Sequence, residues 1–269
     1  LIGAWIGRTI TKITAPASSP NPKKYATGCE WSFFSQFVRA RPIDDLRRHG
    51  KSLEVSFANT AEYWYIHLSS TGWFMPGNEA AMAVAKTDGI YKNFLHSVND
   101  GNVRVRFHLD DGQIWNYHDP RTWGKWEIRS PLLSTPSRGP DWISDQPAAI
   151  LALQSYQSKR TVKDVLCDQS ISAGLGNYLA VEACFLAGIH PHARWSALTD
   201  HTKRHLGRAA AKIVNDSLAS DSHAHWNVFD KAGKQCPIHA EQSILYTKDG
   251  KNGKRGSYFC PICQPLIQV

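Results

Sequence analysis

Two short pairs of metal-ligand side chains, Cys236-Pro-Ile-His239 and Cys260-Pro-Ile-Cys263, stand 20 residues apart near the C-terminal end of this 269-residue chain. Zinc takes four soft or borderline donors in a tetrahedron, and a two-residue spacer lets one tight turn supply two of them. The insert between the pairs is hairpin-sized. Ser243-Ile-Leu-Tyr-Thr247 and Arg255-Gly-Ser-Tyr-Phe259 read as two short strands, with turn signals at Asp249-Gly250 and Asn252-Gly253. Lys248, Lys251, Lys254 and Arg255 load this hairpin with positive charge. The spacing predicts one structural Zn2+ held by Cys236, His239, Cys260 and Cys263, on a basic finger suited to phosphates.

The rest of the chain is long enough for two modest domains beside such a finger. It is 42% hydrophobic with ten tryptophans, a composition that buries cores rather than staying disordered. Net charge is +8 and the pI about 9.2, compatible with nucleic acid but also with a merely basic protein. No apolar run approaches the roughly 20 residues of a membrane span. Leu1 to Ile10 is too short and polar-interrupted for a signal peptide. Cys29, Cys167 and Cys184 remain outside the metal set, an odd number that fits a reducing, intracellular compartment better than a disulfide scaffold.

Residues 1–130 read mainly as β. Lys51-Ser-Leu-Glu-Val-Ser-Phe57 and Val103-Arg-Val-Arg-Phe-His-Leu109 alternate, Tyr63–Leu68 does so more loosely, and Asp110-Asp-Gly112 turns into Gln113–His118. Short strands with tight turns argue for a sandwich or barrel. Residues 11–30 and 77–91 read as loops, with a helical turn available at Ala80–Lys86. Residues 131–142 read as a linker. The period then changes: Asp145–Tyr156, Lys159–Gln169, Asn177–Ala187 and Leu198–Ser217 read as helices. The last has Leu206, Ala210, Ile213, Val214 and Leu218 on one stripe and Lys203, Arg204, Arg208 and Lys212 opposite. The predicted class is α+β, with an antiparallel β-sandwich over 1–130, a helical domain over 143–226 and the finger over 227–269.

Between the second and third of these helices lies Gly174-Leu175-Gly176, with Asn177 opening the next helix. Two glycines let a backbone turn tightly near a ligand, and a helix N-terminus favours phosphate. An ordinary helical hairpin with a glycine turn accounts for the same residues.

At this segment the chain resembles the formamidopyrimidine-DNA glycosylase / endonuclease VIII family. The match runs Asp168-Gln169…Ala173-Gly-Leu-Gly-Asn-Tyr178…Glu182-Ala-Cys-Phe-Leu-Ala-Gly-Ile-His-Pro191, like that family's helix–two-turn–helix signature. Further matches follow in the family's order. They are His49-Gly50-Lys51, Ile66-His67-Leu68…Gly72, His118-Asp-Pro-Arg-Thr-Trp-Gly124, Val228-Phe-Asp-Lys-Ala-Gly-Lys-Gln-Cys236 and Arg255…Tyr258-Phe-Cys-Pro-Ile-Cys-Gln264. The Cys-His-Cys-Cys set is similar to that of the animal and viral endonuclease VIII-like branch.

The resemblance implies a DNA glycosylase with AP lyase activity, acting as an intracellular monomer on lesion-containing duplex held between the sandwich and the helical domain. It implies that Asn177, with Lys163 nearby, and Arg255 bind backbone phosphates. Lys51 would sit on a strand at the active site. Arg121 would enter the duplex opposite the extruded base, with Trp123 as a wedge; such void-fillers offset the few kcal/mol that extrusion costs. Each has a plainer reading. Lys51 and Arg121 taken singly are solvated surface residues, Glu182 a structural helix residue and His67 a satisfied core histidine.

The sequence departs from the family in three places. The family's nucleophile is an N-terminal proline amine followed by glutamate. This sequence begins at Leu1 and contains no Pro-Glu dipeptide. Three readings stand: the dipeptide lies upstream in a longer chain, another amine such as Lys51 substitutes, or the protein binds damaged DNA without glycosylase chemistry. Ser70 occupies the family's intercalating position, so the wedge falls to another residue, Trp73 or Phe74. The connector from the long helix to the finger is short, which by analogy favours oxidised pyrimidines over 8-oxoguanine.

Overall fold

The computed structural model describes residues 2–17, 19, 21–69, 72–87, 100–131, 138–219, 226–249 and 255–266. The fold is mixed α+β, and the chain divides into two compact units, Leu1–Thr135 and Pro136–Val269.

The first unit is a sandwich of two four-stranded antiparallel sheets. One has the order β1-β6-β7-β5, built from β1 (Ile10–Thr14), β6 (Val103–Leu109), β7 (Ile114–His118) and β5 (Trp73–Pro76). The other has the order β2-β3-β4-β8, built from β2 (Ile43–His49), β3 (Ser52–Phe57), β4 (Tyr63–His67) and β8 (Lys125–Arg129). The alternation does the sorting. Leu53, Val55 and Phe57 of β3 and Val103, Val105, Phe107 and Leu109 of β6 all turn inward. They meet an aromatic core in which Trp5, Trp64, Trp115, Trp126 and Phe107 are fully buried. The ring of Trp126 stacks on Tyr25 at 4.9 Å and meets Tyr117 edge-on at 5.0 Å.

Several elements here are unannounced in the sequence. Residues 11–30 hold the end of β1 and a short 3-10 helix, Pro22–Tyr25. Helix α1 (Trp31–Arg39) follows, burying Phe34, Phe37 and Val38 at helical spacing. Strands β2, β5 and β8 also escape the alternation, being short or mixed in polarity. The helical turn at 80–86 is the middle of α2 (Glu79–Thr87).

The second unit is helical, with a terminal hairpin. Its helices are α3 (Gln146–Ser155), α4 (Val162–Leu166), α5 (Asn177–Leu186) and α6 (Asp200–Ala219). Asp145 caps α3 by accepting from Ala148 N at 3.1 Å, and Thr161 caps α4 through Asp164 N at 3.2 Å. The segment Lys159–Gln169 is therefore helical only over its middle. Gly139–Trp142, at the end of the expected linker, runs beside the turn after α4: Gly139 N donates to Gln169 O, and Trp142 N to Ala173 O, each at 3.0 Å. Lys203 lies on the buried face of α6, not on the polar face expected of it. It is 2% exposed, with Nζ 3.4 Å from Tyr156 O and over the Trp195 ring. Its spacing from Leu206 and Ala210 puts it on the buried stripe, and its partners satisfy the ammonium there.

The hairpin pairs β9 (Leu245–Asp249) with β10 (Arg255–Phe259), Arg255 opposite Asp249 and Phe259 opposite Leu245. Lys251 and Lys254 lie outside the described residues.

Candidate nucleic-acid interface and metal centre

The four ligand atoms of Cys236, His239, Cys260 and Cys263 all lie within 4.8 Å of one another. Cys236 Sγ is 3.6 Å from Cys263 Sγ, and His239 Nδ1 is 3.1 Å from the same sulfur. Bonds of about 2.3 Å in a tetrahedron separate two sulfurs by about 3.8 Å, so the set fits one metal ion. Ile238 N points at Cys236 Sγ (3.4 Å) and Cys263 N at Cys260 Sγ (3.5 Å), contacts that stabilise thiolate charge. Burial opposes the Cys236 thiolate, yet the Ile238 and His239 amides and the neighbouring sulfurs outweigh it and bring the group to about 7. Gln264, fully buried, fastens this knuckle to the helical layer: its Oε1 accepts from Cys260 N at 3.1 Å and its Nε2 donates to Ile189 O at 2.9 Å.

The turn between α4 and α5 is organised by Gln169. Its Nε2 donates to Cys167 O and Leu175 O, and its Oε1 accepts from Gly174 N at 2.9 Å. Gly174 has φ +114°, a region that favours glycine. Gly176 is the N-cap of α5 and Asn177 its first residue. Asn177 Nδ2 donates to Gly256 O at 3.0 Å, and Lys163 Nζ donates to the same oxygen at 3.2 Å. Arg255 immediately precedes that glycine at the start of β10. Lys163, Asn177 and the backbone at Arg255 are thus brought together.

Arg121 and Trp123 are placed on the loop from β7 to β8, both exposed, with the Arg121 guanidinium 5.1 Å from the Trp123 ring centroid. The loop is rigidly based. Arg104, 6% exposed, donates to the carbonyls of Gly101, Asp119 and Pro120 at 2.9–3.1 Å. The Asp119 carboxylate, fully buried, accepts from Gly124 N at 2.8 Å. A Cβ on Gly124 would lie 2.0 Å from the Tyr117 hydroxyl, so the chain closes tightly there. Burial, then the charge of Arg104, lowers the His118 pKa; its ring stacks on Trp73 at 4.3 Å. Sequence reasoning missed Arg104 and Asp119. Arg104 alternates with core residues just as Arg106 does, so nothing in the pattern separates a clamp from a surface arginine.

Lys51 lies in the turn between β2 and β3, just before the strand, not on it. The two-residue reversal at Gly50 (φ +58°) uses it, and its carbonyl accepts from Leu68 N at 3.0 Å. His67 is half-buried, with Nδ1 3.3 Å from Ser52 Oγ. Glu182 is structural: its buried carboxylate accepts from the backbone amides of Asn227, Val228 and Phe229 and from Asn227 Nδ2, at 2.7–3.0 Å. Ser70 lies outside the described residues. Phe74 is 5% exposed in the aromatic core and is unavailable as a wedge; Trp73 is engaged by the His118 stack.

A two-sheet sandwich, a helix–two-turn–helix unit and a Cys-His-Cys-Cys hairpin define a class of DNA-repair architecture, and the comparisons agree with it. Residues 3–126 match the family model described as the formamidopyrimidine-DNA glycosylase N-terminal domain, and residues 139–226 match the formamidopyrimidine-DNA glycosylase H2TH domain. The formamidopyrimidine-DNA glycosylase of Chloroflexus aggregans is 26% identical over 258 residues, covering 87% of this chain and 85% of that protein. That of Vibrio atlanticus is 30% identical over 183 residues, 60% of this chain and 65% of that protein. Among solved structures, the Lactococcus lactis enzyme in complex with DNA containing FAPY-dG superposes with a TM-score of 0.74 at 20% identity, covering 98% of this chain and 95% of that one. The chain belongs to the formamidopyrimidine-DNA glycosylase / endonuclease VIII family.

Proposed function

We propose that this protein is a base-excision-repair DNA glycosylase with AP lyase activity that removes oxidised bases, principally pyrimidines, from DNA. The observation that carries it is the convergence of Lys163 and Asn177 on the β10 carbonyl next to Arg255. This ties the turn of the helical unit to the strand of the finger that carries Arg255. There, Asn177 and Arg255 hold phosphates flanking the lesion, which positions DNA without reading sequence. Arg121 and Trp123, on their clamped loop, fill the space that the extruded base leaves. The metal is zinc, the ion that three thiolates and an imidazole suit best, and its role is structural. No helix among the described residues is long and apolar enough to cross a membrane.

In the chemistry of the reading, a protein amine attacks the sugar C1′. The N–C1′ bond forms, the glycosidic bond breaks, and the base leaves with the electron pair and takes up a proton. The C1′–O4′ bond of the resulting aminal then breaks, with O4′ taking up a proton, and the Schiff base so formed acidifies the C2′ proton; its removal expels the 3′ phosphate by β-elimination. In the family the amine is an N-terminal proline; Lys51 is the candidate within this sequence. The preference for thymine glycol, 5-hydroxyuracil or hydantoins rests on the short connector between α6 and the finger. The test is base release from duplexes carrying 5-hydroxyuracil, thymine glycol, 8-oxoguanine or no lesion, using the complete encoded protein. Release from the pyrimidine lesions first is expected. Lesion-selective binding with no base release from any duplex would replace this reading with that of a non-catalytic damage binder.

A further inference from the structure

Lys163 is 3% exposed, so its ammonium is not a surface charge awaiting phosphate. Its Nζ donates to Gly256 O, as does Asn177 Nδ2. One residue further along β10, Ser257 is fully buried and its Oγ lies 3.1 Å from His192 Nε2. Gly256 itself has no room for a side chain, because a Cβ would lie 1.9 Å from the Tyr246 ring. Side chains from α4, from the start of α5 and from the turn at 190–192 therefore fix two successive residues of β10. Burying an ammonium carries a desolvation penalty that an apolar side chain of the same length avoids. Packing alone gives no reason for a lysine here.

We propose that Lys163 is a positioning residue: it holds the Gly256 carbonyl and so fixes the backbone that presents Arg255 to DNA, without touching phosphate itself. This rests on the reading of Arg255 as a phosphate contact.

The test is equilibrium binding to a duplex carrying a tetrahydrofuran abasic-site analogue, from 50 to 200 mM salt, with the variants Lys163→Met, Arg255→Ala and the double variant. Lost phosphate contacts flatten the dependence of log K on log salt by about 0.9 each. Arg255→Ala is expected to flatten the slope by that amount. Lys163→Met is expected to weaken binding about tenfold and to flatten the slope by no more than Arg255→Ala does, and the double variant to match Arg255→Ala alone in both affinity and slope. Ser257→Ala, a milder change on the same strand, is expected to show the same pattern with a smaller loss. A double variant whose slope is flatter than that of Arg255→Ala alone would make Lys163 a direct phosphate contact and overturn the proposal. So would losses that multiply in the double variant, or parental affinity in both Lys163→Met and Ser257→Ala. If Arg255→Ala alone leaves affinity and slope unchanged, the phosphate grip itself is wrong and the proposal falls with it.

Discussion

Glu182 offers a perturbation whose size can be worked from geometry. Its carboxylate is fully buried in α5 and accepts four N–H bonds from residues 227–229, where the chain enters the finger. Glu182→Gln keeps the shape but replaces one oxygen with an NH2 group. Two donors then face a donor, and the other two keep only a neutral acceptor. Hydrogen bonds to charged groups contribute about 1.5–3 kcal/mol each, and a buried donor left unpaired costs a further fraction. Non-additivity trims the total to about 4 kcal/mol. For a unit of this size each kcal/mol moves the melting midpoint by about 4 °C, so a drop of about 15 °C is expected. Thermal denaturation followed by circular dichroism, with metal content measured in parallel, reads it. A midpoint within about 3 °C of the parent would refute the view that this carboxylate ties the finger's root to the helices.

Three other outcomes follow from the same structure. Cys260→Ser should abolish metal binding at the four-ligand set and unfold the hairpin, because metal-binding energy there is folding energy; unchanged metal content would reject the ligand set. Arg104→Met removes three bonds to the base of the Asp119–Gly124 loop and should cost about 3 kcal/mol in stability. It should cut lesion incision about tenfold while affinity for undamaged duplex stays within about twofold, which gel-based incision and binding assays separate. His190 is held neutral: burial, then the neighbouring His192, lowers its pKa from 6.5 to about 4. Below pH 6.5 the unfolded chain therefore binds more protons than the folded one, so this residue's contribution is full above that pH and is lost as pH falls toward 4. Urea midpoints should fall across that window in the parent, and fall less in His190→Phe.

Legibility in the sequence followed the strength of local signals. Strands β3 and β6 and helix α6 show a period that matches their burial, and the Cys-x2-His and Cys-x2-Cys spacings name the residues that converge. What stayed hidden is non-local. Helix α1 is the exception: Trp31, Phe34, Phe37 and Val38 stand at helical spacing, a local signal overshadowed by the Pro/Ser/Lys-rich segment before it. Strands β2 and β8 are mixed in polarity and gain their meaning from pairing with β3 and β4. Lys203 and Lys163 look like surface charge until partners 47 and 93 residues away supply their carbonyls. Arg104 is invisible for the same reason. Lys51 falls one residue short of the strand because the reversal between His49 and Ser52 takes up both Gly50 and Lys51.

The measurement that tests the account most directly is borohydride trapping of the complete encoded protein on duplex DNA carrying an abasic site or 5-hydroxyuracil, with the adduct mapped by mass spectrometry. The account predicts a covalent complex through a protein amine, with strand scission when borohydride is omitted. Salt-sensitive DNA binding with neither adduct nor scission on either duplex would contradict it.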